Sequence, residues 1–257
     1  MSNFAALVPR LLLLAIAAGS VRHLAAQSDR VLLPARAFAR LVEMRIEEDG
    51  LASNFLRLAQ SDEARVRLRD GQVLTSPAAT LGVKPLAIIT GGQVQHWVGA
   101  MFLPCITLAA AIPRLQDYDR RKRYMWPEVI ESRQLERDGN DFKVYLRLNE
   151  KSIVSGTFDV YLSITNRMLD DQHLVIESRS ERIAVVAHDR GLLWGLNHYW
   201  RIAESDGGLY MECEALVLSR KLPGLIQWIA DPMIAQAARK TLVRTLEATR
   251  RIVESDR

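Results

Sequence analysis

After the Gly91-Gly92 pair, Val94, His96, Val98, Ala100 and Phe102 alternate with Gln93, Gln95, Trp97 and Gly99, and the run stops at Pro104. A period of two closed by proline predicts a strand. Helical spacing follows over about 106–123 and ends in Arg120-Arg-Lys-Arg123 before Trp126-Pro127. Strand patterns then recur over 129–135, 142–148, 156–165, 173–179, 183–186, 193–203 and 209–218, with turns at Asp138-Gly139-Asn140 and Asp206-Gly207-Gly208. Strands joined by short turns make an antiparallel meander, and one apolar face per strand implies one covered face per sheet.

The cover is expected at the end of the chain. Pro223 opens a short helix through Leu225, Ile226, Trp228 and Ile229, and Asp231-Pro232 has the residues of an N-cap and first turn for a second, longer one. Ile234, Ala238, Leu242, Thr245, Thr249 and Ile252 form its apolar side, opposite Arg239, Lys240, Arg244, Glu247 and Arg251. A helix of that length needs a partner surface. The expected fold is therefore α+β: a curved antiparallel sheet wrapped around a long C-terminal helix.

The first 90 residues read differently. Arg10, the apolar run 11–18 and the exit at Ala25-Ala26 have the form of a secretory signal over residues 1–26, cleaved near Ala26. That reading places the protein in the periplasm or outside the cell. Residues 27–90 form a small helical extension, with one helix from Pro34 to the stop at Gly50, a second over 55–59, and a connector over 62–84 holding a brief strand. The main domain is 91–257.

Charge and composition remove several classes. The 34 basic and 30 acidic residues leave +4, and removal of the signal lowers this to about +2. No basic stripe with interleaved aromatics suggests nucleic acid. Two cysteines cannot make a disulfide framework, and the sequence leaves open whether Cys105 and Cys213 pair or are free thiols. Nucleotide-binding glycine motifs, His-Glu-x-x-His and Gly-x-Ser-x-Gly do not occur, and the five histidines are not spaced as metal ligands, so neither cofactor nor metal is expected. The basic run 120–123 reads as a solvated helix end, with an anion or lipid-headgroup site as the alternative.

Four segments carry a resemblance over roughly residues 92–257: Gln95-His-Trp-Val-Gly-Ala-Met-Phe-Leu-Pro104; Leu115-Gln-Asp-Tyr-Asp119 with Pro127-Glu-Val; Tyr199-Trp-Arg-Ile with Gly208-Leu-Tyr-Met-Glu; and Leu218-Ser-Arg-Lys-Leu-Pro223. In order and spacing they resemble the START-like (SRPBCC) helix-grip superfamily, which includes polyketide cyclases, coenzyme-Q-binding and lipid-transfer proteins and plant allergen-type carriers. The resemblance implies a cavity between sheet and helix for a lipid, isoprenoid, quinone or polyketide-like molecule.

Candidate cavity-lining residues follow from the expected faces. They are His96 and Val98 on the first strand, Leu146, Val160 and Leu162 on the middle strands, and Trp194, His198 and Trp200 on the strand 193–203. Met211 and Cys213 on the next strand and Ile234, Ala238 and Leu242 on the last helix complete the set. His198 interrupts an apolar lining and is placed to fix a polar end of a ligand. The expectation is non-catalytic binding of a hydrophobic small molecule. A cyclase- or aldolase-type enzyme using His198 or His96 with Asp117 or Glu212, and an interaction module making peripheral membrane contact, are the alternatives. Oligomeric state is left open.

Overall fold

The computed structural model describes residues 55–81, 91–150, 156–187, 193–221 and 224–255. The expected signal segment and the helix from Pro34 lie outside the described residues. In chain order the elements are α1 (Asp62–Arg69), β1 (Leu74–Pro77), β2 (Gly92–Pro104), α2 (Leu108–Leu115), α3 (Arg121–Met125), β3 (Val129–Asp138), β4 (Asp141–Glu150), β5 (Gly156–Met168), β6 (His173–Ala187), β7 (Leu193–Ser205), β8 (Gly208–Arg220) and α4 (Gly224–Glu254). The strands form one antiparallel sheet in the order β1-β2-β8-β7-β6-β5-β4-β3. Curved around α4, it is a helix-grip arrangement.

Local chemistry explains several boundaries. Ser61 caps α1 by accepting from the Ala64 N–H at 3.2 Å, with Asp62 and Glu63 in the first turn and Arg67 and Arg69 in the last. Thr107 caps α2, whose Leu108 N–H donates to Glu204 Oε2 at 2.6 Å. One helix over 106–123 was expected, but two short ones form. Between them Asp117 Oδ1 accepts from the Arg120 N–H, and Asp119 Oδ1 accepts from Gln134 N–H, turning the chain toward β3. A second short helix was expected over 55–59; that stretch is a series of bends, and the helix lies at Asp62–Arg69. The brief strand in the connector is β1.

Two pairs of expected elements are single. Strand β6 runs through 180–182, because a register shift at Tyr161/Leu162 bulges one residue of β6 without ending its pairing with β5. Helix α4 runs through Pro232. Proline removes one helical N–H, and here the flanking turns continue on both sides.

Helix α4 crosses the concave face. Leu242, Leu246, Ile252 and Val253 are buried along it, while Arg239, Lys240, Arg244, Glu247 and Arg251 are exposed. It packs tightly at Gly99 of β2, where a Cβ would lie 2.7 Å from Leu246 Cδ1 and 3.0 Å from Leu242 Cδ2. Arg244 Nη1 donates to Glu128 Oε1 at 2.8 Å and Arg251 Nη2 to the Tyr124 carbonyl at 2.9 Å, tying the helix to the α3 segment.

The convex face is covered too, which the one-covered-face reading did not anticipate. Phe55 packs with Val175, Tyr199 and Ala203; Ala59 and Leu68 pack with Ala100, Phe102 and Tyr210; Ala78 packs with Val98. Beneath this strap lies a buried polar cluster. Arg201 reaches Glu212 at 3.4 Å and Glu214 at 3.1 Å, all three essentially inaccessible, and Glu212 Oε2 accepts from the Leu58 N–H at 2.7 Å. Burial raises the Glu212 pKa, with the Arg201 charge opposing.

The strap also corrects the facing of β2. Its outer row is apolar because it is covered, Val98, Ala100 and Phe102 by the strap and Val94 by Leu216, Leu218 and Trp194, and its inner row of Trp97, Met101 and Leu103 meets the core under α4. His96 and Val98 therefore lie outside the cavity. His96 Nε2 is 2.6 Å from Glu214 Oε1.

Candidate ligand cavity

Antiparallel register fixes which side chains share the concave face. Starting from Trp97 on β2, the row crosses Ala215, His198, Ser178, Ile164 and Phe142 on successive strands. This row forms the floor beneath α4. Together with Ile234, Ala238, Thr241, Leu242, Thr245 and Thr249 of the helix, the sheet lines a partly open cavity of about 320 Å³. That is within the size range of small-molecule sites.

The wall is mainly apolar: Val144, Leu146, Leu148, Phe158, Leu162, Ile176, Trp200, Ile202 and Met211 contribute, with Leu115 and Met125 from the helical segment. Thr245 and Thr249 add little polarity, because their hydroxyls donate to the Thr241 and Thr245 carbonyls at 3.0 and 2.8 Å. Gln95, Asn149, Ser219 and Arg220 line it at one end of the strands.

Of the residues expected in the wall, Leu146, Leu162, His198, Trp200, Met211, Ile234, Ala238 and Leu242 are there. Val160 and Cys213 point to the same side but are packed into the core without lining the cavity. Trp194 is a correction. A register shift between Leu193 and Gly195 bulges it out of the alternation, and its indole packs outside with Leu216, Leu218 and Val94. Leu193 and Leu196 line the cavity from this strand instead. Cys105 is exposed and Cys213 buried, and neither is in a disulfide.

Among the polar groups of the wall that the sequence did not point to is Arg121. Arg120, Lys122 and Arg123 are on the surface, the first paired with Asp117, as a solvated helix end requires. Arg121 turns inward to the cavity wall. Its Nη2 donates to the Leu115 carbonyl at 2.5 Å, its Nε is buried with no hydrogen-bond partner, and its guanidinium lies 5.1 Å from the Tyr118 ring centroid. Tyr118 in turn meets Phe142 edge-on at 5.1 Å, which seats Arg121 over the far end of the floor row. The available signal was the spacing of Tyr118, Arg121 and Met125, which puts one cation among two apolar-bodied neighbours on a single helical face.

His198 faces the same space. Burial, then the positive charge of Arg121, pushes its pKa down to about 4, so the imidazole is neutral at pH 7. No side chain among the described residues hydrogen-bonds it, including Asp117 and Glu212. Among the described residues, no group of three His, Cys, Asp or Glu is arranged to hold a metal, and no helix is long and apolar enough to cross a membrane.

No family model matches the sequence, and no curated protein matches it. Solved structures resemble it over about two thirds of the chain. The Zhui aromatase/cyclase from Streptomyces sp. R1128 is 13% identical, with a TM-score of 0.49 over 63% of this chain and 94% of that one. A STAR-related lipid transfer protein fragment from Xanthomonas axonopodis is 13% identical, with a TM-score of 0.47 over 66% and 97%. A START superfamily protein from Mycobacterium smegmatis is 11% identical, with a TM-score of 0.44 over 63% and 95%. The helix-grip assignment rests on strand order, register and the position of α4 rather than on these likenesses.

Proposed function

We propose that the protein binds a hydrophobic small molecule, of lipid, isoprenoid, quinone or polyketide-like type, inside the cavity and carries it without chemical change. The observation behind this reading is the space left between sheet and helix. A sheet and helix with this much apolar surface could pack shut, yet the wall from Leu146 to Leu242 surrounds about 320 Å³ with few polar groups. The signal-like pattern of residues 1–26 supports a role in the cell envelope. Peripheral membrane contact belongs to the same proposal, supported by the exposed Arg239, Lys240 and Arg244 on α4. Salt-sensitive pelleting with anionic but not neutral vesicles tests that part.

The cyclase- or aldolase-type alternative retains only His198, since His96 lies on the other face. A histidine titrating near pH 4 with no carboxylate to orient it is a weak general base at neutral pH.

Native mass spectrometry of protein purified from its own envelope, with analysis of a solvent extract, tests the central reading. A bound apolar molecule in 1:1 ratio is expected. Protein that arrives empty and also fails to take up a neutral apolar fluorophore would refute it.

A further inference from the structure

Arg121 is out of place in a cavity built for an uncharged hydrocarbon. Its guanidinium has five N–H donors, of which one, on Nη2, is hydrogen-bonded, to Leu115. The buried Nε has no partner, and no carboxylate forms an ion pair with the side chain among the described residues. Asp117, the acid whose charge acts on it, is paired with Arg120 at 3.3 Å. Arg121 is half-buried with its Nε inaccessible, and a guanidinium desolvated even in part without a counter-ion is costly. Such a group is retained most economically where an incoming anion completes it. The surroundings fit: Tyr118 and Ser178 also line the wall with hydroxyl groups, and His198 beside them is neutral and adds no competing charge.

We propose that Arg121 receives the head group of an amphiphile carrying one oxyanion, with its apolar body lying along the row toward Trp200 and Leu242. This rests on reading the cavity as a ligand site and narrows it to acidic ligands. Carboxylate and phosphate monoester share the required chemistry, since a guanidinium pairs with both in bidentate fashion.

The experiment is competition against the neutral fluorophore N-phenyl-1-naphthylamine bound to the full chain. Dodecanoate, dodecyl phosphate and dodecanol have one tail and three heads. At least one anion is expected to displace the fluorophore at about tenfold lower concentration than the alcohol, and the stronger of the two identifies the head. In Arg121→Gln the fluorophore still binds and the preference falls to about twofold or less, whereas Arg121→Lys retains part of it. If dodecanol competes as well as both anions in the unaltered protein, the anion assignment is wrong and the cavity reading stands. If the fluorophore and all three competitors fail to bind, both readings fall.

Discussion

His96 Nε2 stands 2.6 Å from Glu214 Oε1 on the convex side of the sheet, and Glu214 also holds Arg201 at 3.1 Å. Two carboxylates are thus buried against one guanidinium and one imidazole under the strap of residues 55–81. Removing the central cation leaves buried negative charge without compensation. Arg201→Met is expected to cost about 3–5 kcal/mol in urea unfolding. Adding Glu214→Gln to it should restore part of that loss. Fluorophore affinity should be unchanged in any variant that folds, because a sheet separates this cluster from the cavity. A wild-type-like midpoint for Arg201→Met would contradict the arrangement.

The strap itself supplies the next test. Leu68 is fully buried against Ala100, Phe102 and Tyr210. Leu68→Ala removes a buried side chain and leaves a cavity, with an expected loss of about 2–5 kcal/mol. Ligand binding on the opposite face should persist. A loss confined to ligand affinity, with stability intact, would instead make the strap part of the binding site.

How much of this was legible before the structure depended on how many covers each strand has. Among the described residues strands β4 and β5 have one, and their alternation put Leu146 and Leu162 on the cavity side, where they lie. Strand β2 has two, so its more regular apolar row, from Val98 to Phe102, is the one under the strap, and His96 and Val98 were assigned to the wrong face. A sequence with apolar residues in both phases does not say which phase meets which cover. Trp194 failed for a different reason, since one bulged residue inverts a side chain without leaving a compositional mark. Arg121 was hidden by its neighbours: three of four consecutive cations do what an exposed helix end does, and the fourth turns inward.

Gly99 marks a tight contact between helix and sheet, and it couples stability to cavity shape. In Gly99→Val the new side chain displaces Leu246 and Leu242, and Leu242 lines the cavity. Overpacking of this kind is expected to cost about 1–3 kcal/mol. Fluorophore affinity should fall with it as Leu242 is pushed inward. Leu246→Ala alone costs about 2–5 kcal/mol, but combined with Gly99→Val the two losses should be less than additive, because each relieves the other. Strict additivity in a double-mutant cycle would mean that the two positions do not touch.

The neutral imidazole of His198 gives a pH dependence with a definite sign. In the folded protein it titrates near pH 4, against 6.5 for the unconstrained side chain. Arg121 approaches it from α3, while its cross-strand partners Ser178 and Ala215 carry no titratable group in this range. Between those two values the unfolded chain binds a proton at this position and the folded chain does not, so stability falls as pH falls. Above 6.5 both states are neutral and the contribution is flat. From pH 7 to pH 5 the loss is about 2 kcal/mol. Urea midpoints for the unaltered protein and His198→Gln, compared across that window, isolate it, since the other histidines contribute equally to both. The substitution should remove this part of the slope. Parallel profiles would show that His198 is as free to take up a proton in the folded protein as in the unfolded chain, and that Arg121 exerts no field on it.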